Sequence, residues 1–263
     1  MNLGGRTALV TGATGGLGQA IARALGRRGA RLLLSGRQVD VLERLAAELD
    51  ARALPCDLAD RAAVERLAGD AAGADVLVAN AGVPASGALG TFAVGRLDRA
   101  LDVNLRAPMV LARLLSERMG ERGGGHIVFV NSLSGKAGTA GSSVYAATKF
   151  GLRGFAQGIR EDLRPLGVGV SSVFPGFIGD AGMLHDSGAK LPGYVRLKRA
   201  DDVARAVVRA IEHDRGEIDV APLPLRLGVA VSGLAPEVTA TVQRRLGANA
   251  IAARVAEAQR EKG

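Results

Sequence analysis

Short runs of apolar residues alternate along this chain with longer segments in which apolar residues recur at the spacing of a helix. The runs predict seven β-strands, at Arg6–Thr11, Ala30–Ser35, Ala51–Pro55, Asp75–Ala79, His126–Val130, Val168–Phe174 and Glu217–Val220. The helical spacing predicts helices near residues 17–25, 41–49, 61–72, 101–119, 143–163 and 200–213. Strands that alternate with helices form a parallel sheet with helices on both faces. We therefore predict an α/β fold built on one doubly wound parallel sheet of about seven strands.

No segment rich in proline or serine divides the chain, so we predict a single domain over residues 1–221 and a C-terminal extension over residues 222–263. Three prolines interrupt the first part of the extension: Pro222, Pro224 and Pro236. The pattern over Ala240–Arg260 predicts a helix. The apolar stretch Leu223–Leu234, which carries Arg226, could pack on the domain or in an oligomer, or could contact a membrane surface peripherally. We favour packing.

Composition narrows the class of protein. With 263 residues, of which 48% are hydrophobic, the chain can bury a large core. The formal net charge is +8, but most basic residues are arginines scattered along predicted helix faces, and aromatic residues make up only 3%. This pattern does not indicate a nucleic-acid-binding surface. It fits solvated helix faces together with an anionic cofactor.

Cys56 is the only cysteine, so no disulfide can form within the chain, as is usual in a reducing compartment. The first predicted strand begins without a charged and apolar leader before it, and no run of about 18 apolar residues is present. We expect a cytoplasmic protein with no signal peptide and no membrane span. His126, His185 and His213 lie far apart and lack the spacing of metal ligands, so we expect no metal.

A glycine-rich turn joins the first predicted strand to the first predicted helix. Its candidate cofactor-binding residues are Gly12, Thr14, Gly15, Gly16, Leu17 and Gly18. Glycine allows close approach of the backbone to a ligand, and a helix N-terminus offers free N–H groups and the positive end of the helix dipole. The turn therefore predicts a pyrophosphate-binding loop, although tight turns also need glycine for other reasons. Asn80-Ala81-Gly82 follows the fourth strand, where a doubly wound sheet opens its ligand crevice.

The end of the second predicted strand indicates which dinucleotide is bound. NAD-binding sites usually place a carboxylate there for the ribose 2′-hydroxyl, and this chain has none. Arg37 stands there instead and could pair with a 2′-phosphate, so we predict NADP(H); the alternative is one more surface arginine. Asp57, after the third strand, could accept a hydrogen bond from the adenine amino group. It could also cap the next helix, a role for which Asp60 competes.

Tyr145 and Lys149 are four residues apart and therefore share one face of a predicted helix. A nearby ammonium would lower the pKa of the phenol, and such a tyrosine can exchange a proton with a reacting oxygen. The same spacing is also common on surface helices. Ser132, just past a strand end, could hold a substrate oxygen beside the phenol. It could instead cap a loop, and Ser134 is a close alternative.

Asn104 lies in the predicted helix over residues 101–119, four residues before Pro108. Because proline has no N–H, the Asn104 carbonyl lacks its helical partner. That carbonyl could hold a water that relays protons toward Lys149. The alternative is a kink at the proline that solvent fills.

Together these motifs resemble those of the short-chain dehydrogenases/reductases. The matching elements are Gly12-x-x-x-Gly16-x-Gly18, Asn80-Ala81-Gly82, Asn104, Ser132, Tyr145-x-x-x-Lys149 and Pro175-Gly176, in order and spacing, over about residues 5–220. The resemblance implies a Rossmann-like fold. It also implies an NADP(H)-dependent oxidoreductase that transfers hydride between the nicotinamide and a ketone or secondary alcohol.

The resemblance further implies a role for each matched residue. Tyr145 would be the general acid/base, and Lys149 would lower the pKa of the phenol and bind the nicotinamide ribose. Ser132 would orient the substrate oxygen, Asn104 would anchor the water relay, and Arg37 would mark the 2′-phosphate site. The remaining predicted cofactor-binding residues are Leu58, Pro175, Gly176 and Ile178.

Three positions depart from the family pattern. Ala79 stands where many members have a second asparagine. Gly15 stands where some NADP-preferring members have a basic residue, so the cofactor preference depends on Arg37. Gly179-Asp180 replaces a threonine that is often found near the nicotinamide carboxamide, and Asp180 could accept a hydrogen bond from that amide.

Residues 179–199 lie between the last strand that borders the site and the next helix, and we predict that they form a substrate lid. Met183, Leu184, Leu191 and Tyr194 give this segment an apolar lining, and we predict that Met183 and Leu184 contact the substrate. The lining predicts a hydrophobic ketone or alcohol, unless these residues simply pack the lid.

We expect a homodimer or homotetramer that acts on a small-molecule carbonyl or alcohol. The alternative is a non-catalytic NADP(H)-binding regulatory protein of the same fold. Such regulators tend to lose the tyrosine or the lysine, and this chain keeps both.

Overall fold

The computed structural model describes residues 1–188, 196–235 and 237. Among these residues, seven parallel strands form one sheet in the order β3-β2-β1-β4-β5-β6-β7. The strands are β1 (Thr7–Thr11), β2 (Arg31–Gly36), β3 (Arg52–Pro55), β4 (Val76–Ala79), β5 (Gly125–Val130), β6 (Val168–Pro175) and β7 (Glu217–Val220). Strand order reverses at β1, which pairs with both β2 and β4. Such a reversal opens a ligand crevice at the carboxyl ends of the two strands.

Helices cover both faces of the sheet. They are α1 (Gly16–Gly26), α2 (Val39–Glu48), α3 (Arg61–Asp70), α4 (Val94–Leu101), α5 (Ala107–Glu121), α6 (Ser143–Asp162), α7 (Gly182–Ser187), α8 (Ala200–His213) and α9 (Leu223–Leu234). One apolar core contains residues of α1, α2 and α8, and the other contains residues of α3, α5 and α6. The predicted α/β fold with one doubly wound sheet is confirmed.

Strand β5 shows why the strands read as unbroken apolar runs in the sequence. Val128 and Val130 belong to the core beneath α1, α2 and α8. Ile127 and Phe129 belong to the opposite core. Because successive side chains of a strand point to opposite faces, a strand buried on both faces needs apolar residues at every position.

The single helix predicted over residues 101–119 is wrong in detail. The chain forms α4, then a π-helical segment over Asp102–Arg106, then α5. Pro108 lies in the first turn of α5, where its missing N–H costs little. Ala107 N–H bonds to the Asp102 carbonyl, five residues back, so the helix widens by one residue just before the proline.

The C-terminal extension also differs from the prediction in its first part. Pro224 lies in the first turn of α9, so the prolines do not prevent a helix over residues 223–234. Leu225 and Val229 of α9 pack against a small cluster of Leu133, Phe174 and Ala221. Further described elements that the sequence did not predict are α4 as a separate helix and the short helix α7.

The other predictions for the extension lie outside the described residues. These include the helix at Ala240–Arg260. In the described ranges, no helix has the length and apolar character needed to cross a membrane.

Candidate active site

A cleft of about 540 Å³ lies at the carboxyl ends of β1, β2 and β4. It is lined by predicted cofactor-binding residues from four separate segments: Gly12, Thr14, Gly15, Gly16, Leu17, Gly18, Arg37, Asp57, Leu58, Asn80, Ala81 and Gly82. Met183 of α7 also lines the cleft. A larger groove of about 820 Å³ lies along α3 and α5 and contains none of the predicted site residues. The smaller cleft is therefore the candidate cofactor site.

Two glycines of the turn after β1 are required by backbone packing. Gly12 has a φ of +64°, and a Cβ there would lie 2.7 Å from the Ala81 Cα atom. A Cβ on Gly18 would lie 2.1 Å from the Gly12 carbonyl oxygen. A Cβ on Gly15 would instead lie 3.6 Å from that oxygen, an ordinary contact. The backbone at Gly15 is thus open to the cleft, as a phosphate-binding turn requires.

Asn80 and Thr11 join the end of β4 to this turn. The Asn80 side chain donates to the carbonyl oxygens of Thr11 (2.9 Å) and Gly12 (3.2 Å). In return, the Thr11 hydroxyl oxygen accepts from the backbone N–H groups of Asn80 (3.1 Å) and Ala81 (3.2 Å). Sequence reasoning missed Thr11, whose only signal is a buried polar residue at the last position of a strand.

At the other end of the cleft, the structure shows which of two aspartates, Asp57 or Asp60, caps the next helix. Asp60 caps α3, because its carboxylate accepts from the N–H groups of Ala62 (2.9 Å) and Ala63 (3.1 Å). Asp57 lines the cleft instead, with Arg99 of α4 donating to its two oxygens at 3.1 and 3.3 Å. Arg99 was missed by sequence reasoning.

The ionisation of Asp57 is favoured by these partners. Burial disfavours the charged form, but the N–H of Ala59, the Arg99 guanidinium and the charge of Arg37 together lower the pKa of Asp57. Arg37 itself is exposed at the rim of the cleft. An anionic carboxylate at this position can accept a hydrogen bond from an amino group.

Ser132, Tyr145 and Lys149 come together beside the cleft. The Ser132 hydroxyl is close enough to the Tyr145 phenol to lower the pKa of that phenol, and the Lys149 Nζ atom lies 5.7 Å from the centre of the Tyr145 ring. Lys149 also donates to the Val130 carbonyl at 3.1 Å. In the described structure these three residues are not in the cleft lining itself. Val83 lines the cleft and packs in the same apolar cluster as Tyr145.

The two serines after β5 have different roles. Ser134 contributes its backbone N–H, which donates to the Ser132 hydroxyl oxygen at 3.1 Å. This bond occupies a lone pair on Ser132 and leaves its proton free to be donated. Of the two serines, Ser132 is the one whose hydroxyl affects the pKa of Tyr145, and its role in orienting the substrate stays a prediction.

Burial dominates the ionisation of the tyrosine and the lysine. It raises the pKa of Tyr145 to about 12, and the nearby Ser132 hydroxyl only partly opposes this. Burial lowers the pKa of Lys149 to about 8. The lowered tyrosine pKa predicted from the sequence is therefore wrong for the folded chain alone, because loss of hydration outweighs any help from the ammonium. The phenol stays protonated, which is the form that donates a proton.

Asn104 lies in the π-helical segment and is 1% exposed. Its side chain accepts from the N–H of Val83 (2.7 Å) and donates to the carbonyl of Val83 (3.0 Å). The side chain thus holds the loop that follows Asn80-Ala81-Gly82. A proton relay would have to use its main-chain carbonyl, so that role stays a prediction.

The remaining predicted residues lie near the site in varied positions. In the described residues the cleft lining does not include Pro175, Gly176, Ile178 or Leu184. Pro175 ends β6, Gly176 N–H bonds to the Val220 carbonyl, and Ile178 is buried. Leu191 and Tyr194 lie outside the described residues.

Asp180, suggested above as a partner for a carboxamide, has a structural partner instead. Its carboxylate accepts from the Ala200 N–H at 2.8 Å and lies 3.3 Å from the Arg199 guanidinium. It therefore stabilises the start of α8. Within the described part of the chain, no group of three or more His, Cys, Asp or Glu side chains is arranged to hold a metal ion.

A crevice at the reversal of a parallel sheet, beside a partly buried tyrosine and a buried lysine, defines the class of this protein as a dehydrogenase. The family model described as short chain dehydrogenase matches residues 6–191. The chain belongs to the short-chain dehydrogenase family, and it is an oxidoreductase of CH–OH and C=O groups. The family and the Rossmann-like fold predicted from the motifs are confirmed.

Individual relatives extend the similarity over nearly the whole chain. Ketoacyl reductase HetN from a Nostoc species is 35% identical over 259 residues, which cover 93% of this chain and 90% of that protein. A short-chain dehydrogenase from Sphingobium yanoikuyae, solved in complex with NADPH, superposes with a TM-score of 0.77 at 27% identity and covers 88% of this chain and 95% of that one. A blue fluorescent protein from a metagenomic library, also solved with NADPH, gives a TM-score of 0.73 at 30% identity and covers 84% of this chain and 98% of that one.

Proposed function

We propose that the protein is an NADP(H)-dependent carbonyl reductase, able to run in reverse as a secondary-alcohol dehydrogenase, with Tyr145 as its general acid/base. The observation that carries the proposal is the meeting of Ser132, Tyr145 and Lys149 beside the dinucleotide cleft. Lys149 brings an ammonium group into a position that is 3% exposed, beside the partly buried Ser132 and Tyr145.

The cleft has the features that NADP(H) requires. The open backbone around Gly15, at the N-terminus of α1, suits the pyrophosphate. Arg37 at the rim suits the 2′-phosphate, and Asp57 suits the adenine amino group. Similar structures solved with NADPH support this choice. When bound, the nicotinamide supplies the hydride in reduction and takes it up in oxidation.

The chain's own residues handle the proton. With a pKa raised to about 12, the Tyr145 phenol keeps its proton until a carbonyl oxygen that gains negative charge removes it. Ser132 accepts from the Ser134 N–H and so donates its own proton toward that oxygen. Lys149 uses one N–H on the Val130 carbonyl, which leaves two donors for the ribose and the phenolate. Its positive charge stabilises the phenolate that forms.

The surroundings of Tyr145 support a hydrophobic substrate. The phenol ring packs with an apolar cluster that includes Val83, Phe92, Leu97 and Val144. Met183 lines the neighbouring cleft from α7. Apolar walls with a few polar groups are typical of sites for hydrophobic small molecules. We propose a hydrophobic ketone or secondary alcohol as the substrate class.

The experiment is NADPH oxidation against a library of carbonyl compounds, with the native protein and Tyr145→Phe side by side. We expect apolar ketones to be reduced, and Tyr145→Phe to lose roughly 10²- to 10⁴-fold in kcat, the usual contribution of a general acid. Phe150→Leu, on an exposed position of the same helix, is the control and should stay active. Faster turnover of polar sugars than of apolar ketones would remove the substrate proposal.

The alternative, a regulatory protein that binds NADP(H) without turnover, makes a different prediction. It expects tight NADPH binding with no reduction of any carbonyl. We further propose a homodimer or homotetramer in the cytoplasm. Light scattering tests the oligomer. The exposed apolar residues Leu223, Leu227 and Val231 of α9 fit either an association surface or a peripheral membrane contact.

A further inference from the structure

Asn131 lies between the last residue of β5 and Ser132 and has no part in the function proposed so far. Its polar side chain is only 4% exposed. The amide nitrogen donates to the Lys149 carbonyl at 3.1 Å, and the amide oxygen accepts from the Ser132 N–H at 2.9 Å. Asn131 N–H bonds to the Val173 carbonyl of β6 at 2.8 Å. One buried side chain therefore bonds the main chain of two proposed site residues from a position fixed in the sheet.

Lys149 is held at both of its ends by two adjacent residues at the carboxyl end of β5, Val130 and Asn131. Its Nζ atom donates to the Val130 carbonyl, and its own carbonyl accepts from Asn131. Lys149 is 3% exposed. Because Tyr145 lies one turn earlier on the same helix, any shift of α6 at Lys149 also moves the phenol relative to Ser132.

Gly135, in the turn after Ser132, lies directly against Asn131 and the Lys149 carbonyl that Asn131 bonds. A Cβ on Gly135 would lie 2.7 Å from the Asn131 amide oxygen and 2.8 Å from the Lys149 carbonyl oxygen. The Gly135 N–H meanwhile bonds to the Ser132 carbonyl at 2.8 Å. The turn can close over Asn131 only because this position has no side chain.

We propose that Asn131 is a positioning residue that sets the distance between Ser132 and the Tyr145–Lys149 pair by docking α6 onto the end of β5. The inference rests on the proposed function, since it assigns a role through those three residues. Without the Asn131 bonds, α6 moves away from β5, and water reaches Lys149. The pKa of Lys149 then rises from about 8 toward that of an exposed lysine, because burial is what lowers it.

Three variants test the proposal in the full-length protein. Asn131→Leu removes both side-chain bonds at similar size, and Asn131→Ser is too short to reach Lys149 and is the milder change for folding. Gly135→Ala leaves Asn131 in place but pushes against its amide oxygen. The matched control is Ser171→Ala. It removes the buried hydrogen bond between Ser171 of β6 and His126 of β5 (2.8 Å), which lies away from Asn131, toward the amino end of β5.

The measurements are the Lys149 titration by NMR of ¹³C-labelled lysine, kcat and KM for NADPH, and the melting temperature. We expect the Asn131 variants and Gly135→Ala to raise the pKa of Lys149 by about one unit and to lower kcat roughly 10- to 100-fold, as small misplacements of reacting groups do. KM for NADPH should change less than kcat. Ser171→Ala should lower the melting temperature and leave the lysine titration and kcat unchanged.

The proposal is overturned if the Asn131 variants match Ser171→Ala, with a lower melting temperature and an unchanged Lys149 titration. An altered titration with unchanged kcat also overturns it. Failure of the proposed function is a separate outcome, in which the native protein reduces no carbonyl or Tyr145→Phe keeps full activity. The lysine titration, which needs no turnover, then decides alone whether Asn131 sets the burial of Lys149.

Discussion

In the phosphate-binding turn, Gly18 is required by backbone packing, whereas Gly15 leaves room for a ligand. A Cβ on Gly18 would meet a backbone oxygen at 2.1 Å, whereas one on Gly15 has room at 3.6 Å. Overpacking of this kind costs roughly 1–3 kcal/mol. We expect Gly18→Ala to lower the melting temperature and to weaken NADPH binding about tenfold or more. Gly15→Ala should fold like the native protein; equal melting temperatures for both variants would contradict this account.

Replacement of Arg37 tests which of the two cofactors, NADPH or NADH, the protein prefers. It is exposed, and the second strand offers no carboxylate for a ribose hydroxyl. A charge-assisted hydrogen bond contributes about 1.5–3 kcal/mol, so we expect Arg37→Ala to lower kcat/KM for NADPH by about 10- to 100-fold. The value for NADH should hardly change, and Arg37→Lys should restore part of the loss. An equal loss with both cofactors would show that Arg37 does not read the 2′-phosphate.

Spacing predicts which residues share a site far better than it predicts their ionisation. The interval from Tyr145 to Lys149 places both on one helix face in any helix. The direction of the tyrosine pKa shift depends on burial, which the interval does not contain, and burial raises that pKa. Asn131 and Arg99 were missed for a related reason. Their partners Lys149 and Asp57 are distant in the chain, so no local pattern marks them.

At the scale of elements, the start of α3 gives a test that separates capping from ligand binding. Asp60 accepts two N–H groups of the first turn, while Asp57 bonds Arg99 in the cleft. Loss of a helix cap costs about 1 kcal/mol. Urea denaturation should show this loss for Asp60→Ala and a change within about 0.5 kcal/mol for Asp57→Asn.

NADPH binding should show the opposite order for the same two variants. Asp57→Asn removes the charge that Arg99 and Arg37 favour and replaces one of the two acceptor oxygens with an NH₂ donor, so the adenine amino group is left with one neutral acceptor. Asp60→Ala leaves the cleft lining as it is. If Asp60→Ala were the variant that weakened NADPH binding, the division of roles between the two aspartates would be wrong.

The elements that the sequence predicted best are those whose pattern is set by burial on the sheet. The helix around residues 101–119 was mistaken because its apolar period runs without interruption through the π-helical segment that precedes Pro108. In α9, Pro224 was read as an interruption, although proline is well accommodated in a first turn. Proline patterns alone do not distinguish a helix start from a helix stop.

At the scale of the whole molecule, alternation of strands and helices predicts a parallel sheet but not the order of its strands. Right-handed crossovers make consecutive strands parallel but do not fix which strands are neighbours: β3 and β4 follow each other in the chain and are not paired. The crevice forms where strand order reverses at β1. That reversal depends on which face of the sheet each helix covers, and packing in the two apolar cores determines the face. For this chain, the glycine-rich turn after β1 and Asn80-Ala81-Gly82 after β4 placed the crevice before the structure did.

We expect the free energy of unfolding to depend on pH because of a buried histidine near the amino end of β5, at the end of the strand away from the site. His126 of β5 is 2% exposed and hydrogen-bonds Ser171 of β6. Burial lowers its pKa from 6.5 to about 4; Asp214 opposes this, and the N-terminal amino group and Arg160 add to it. The unfolded chain therefore binds a proton between pH 6.5 and 4 that the folded chain does not, and stability falls as the pH drops through this window.

A pKa shift of this size lowers the free energy of unfolding by about 3 kcal/mol at pH 4, since each pKa unit is worth about 1.4 kcal/mol. Urea denaturation of the native protein at pH 7, 5.5 and 4.5 should show most of the loss above pH 4.5. Carboxylates with lowered pKa values, such as Glu217 and Asp202, add their share only at lower pH. His126→Asn removes the titrating group, so its free energy of unfolding should be lower at pH 7 and nearly flat down to pH 4.5. A variant that kept the native slope would place the acid sensitivity elsewhere in the molecule.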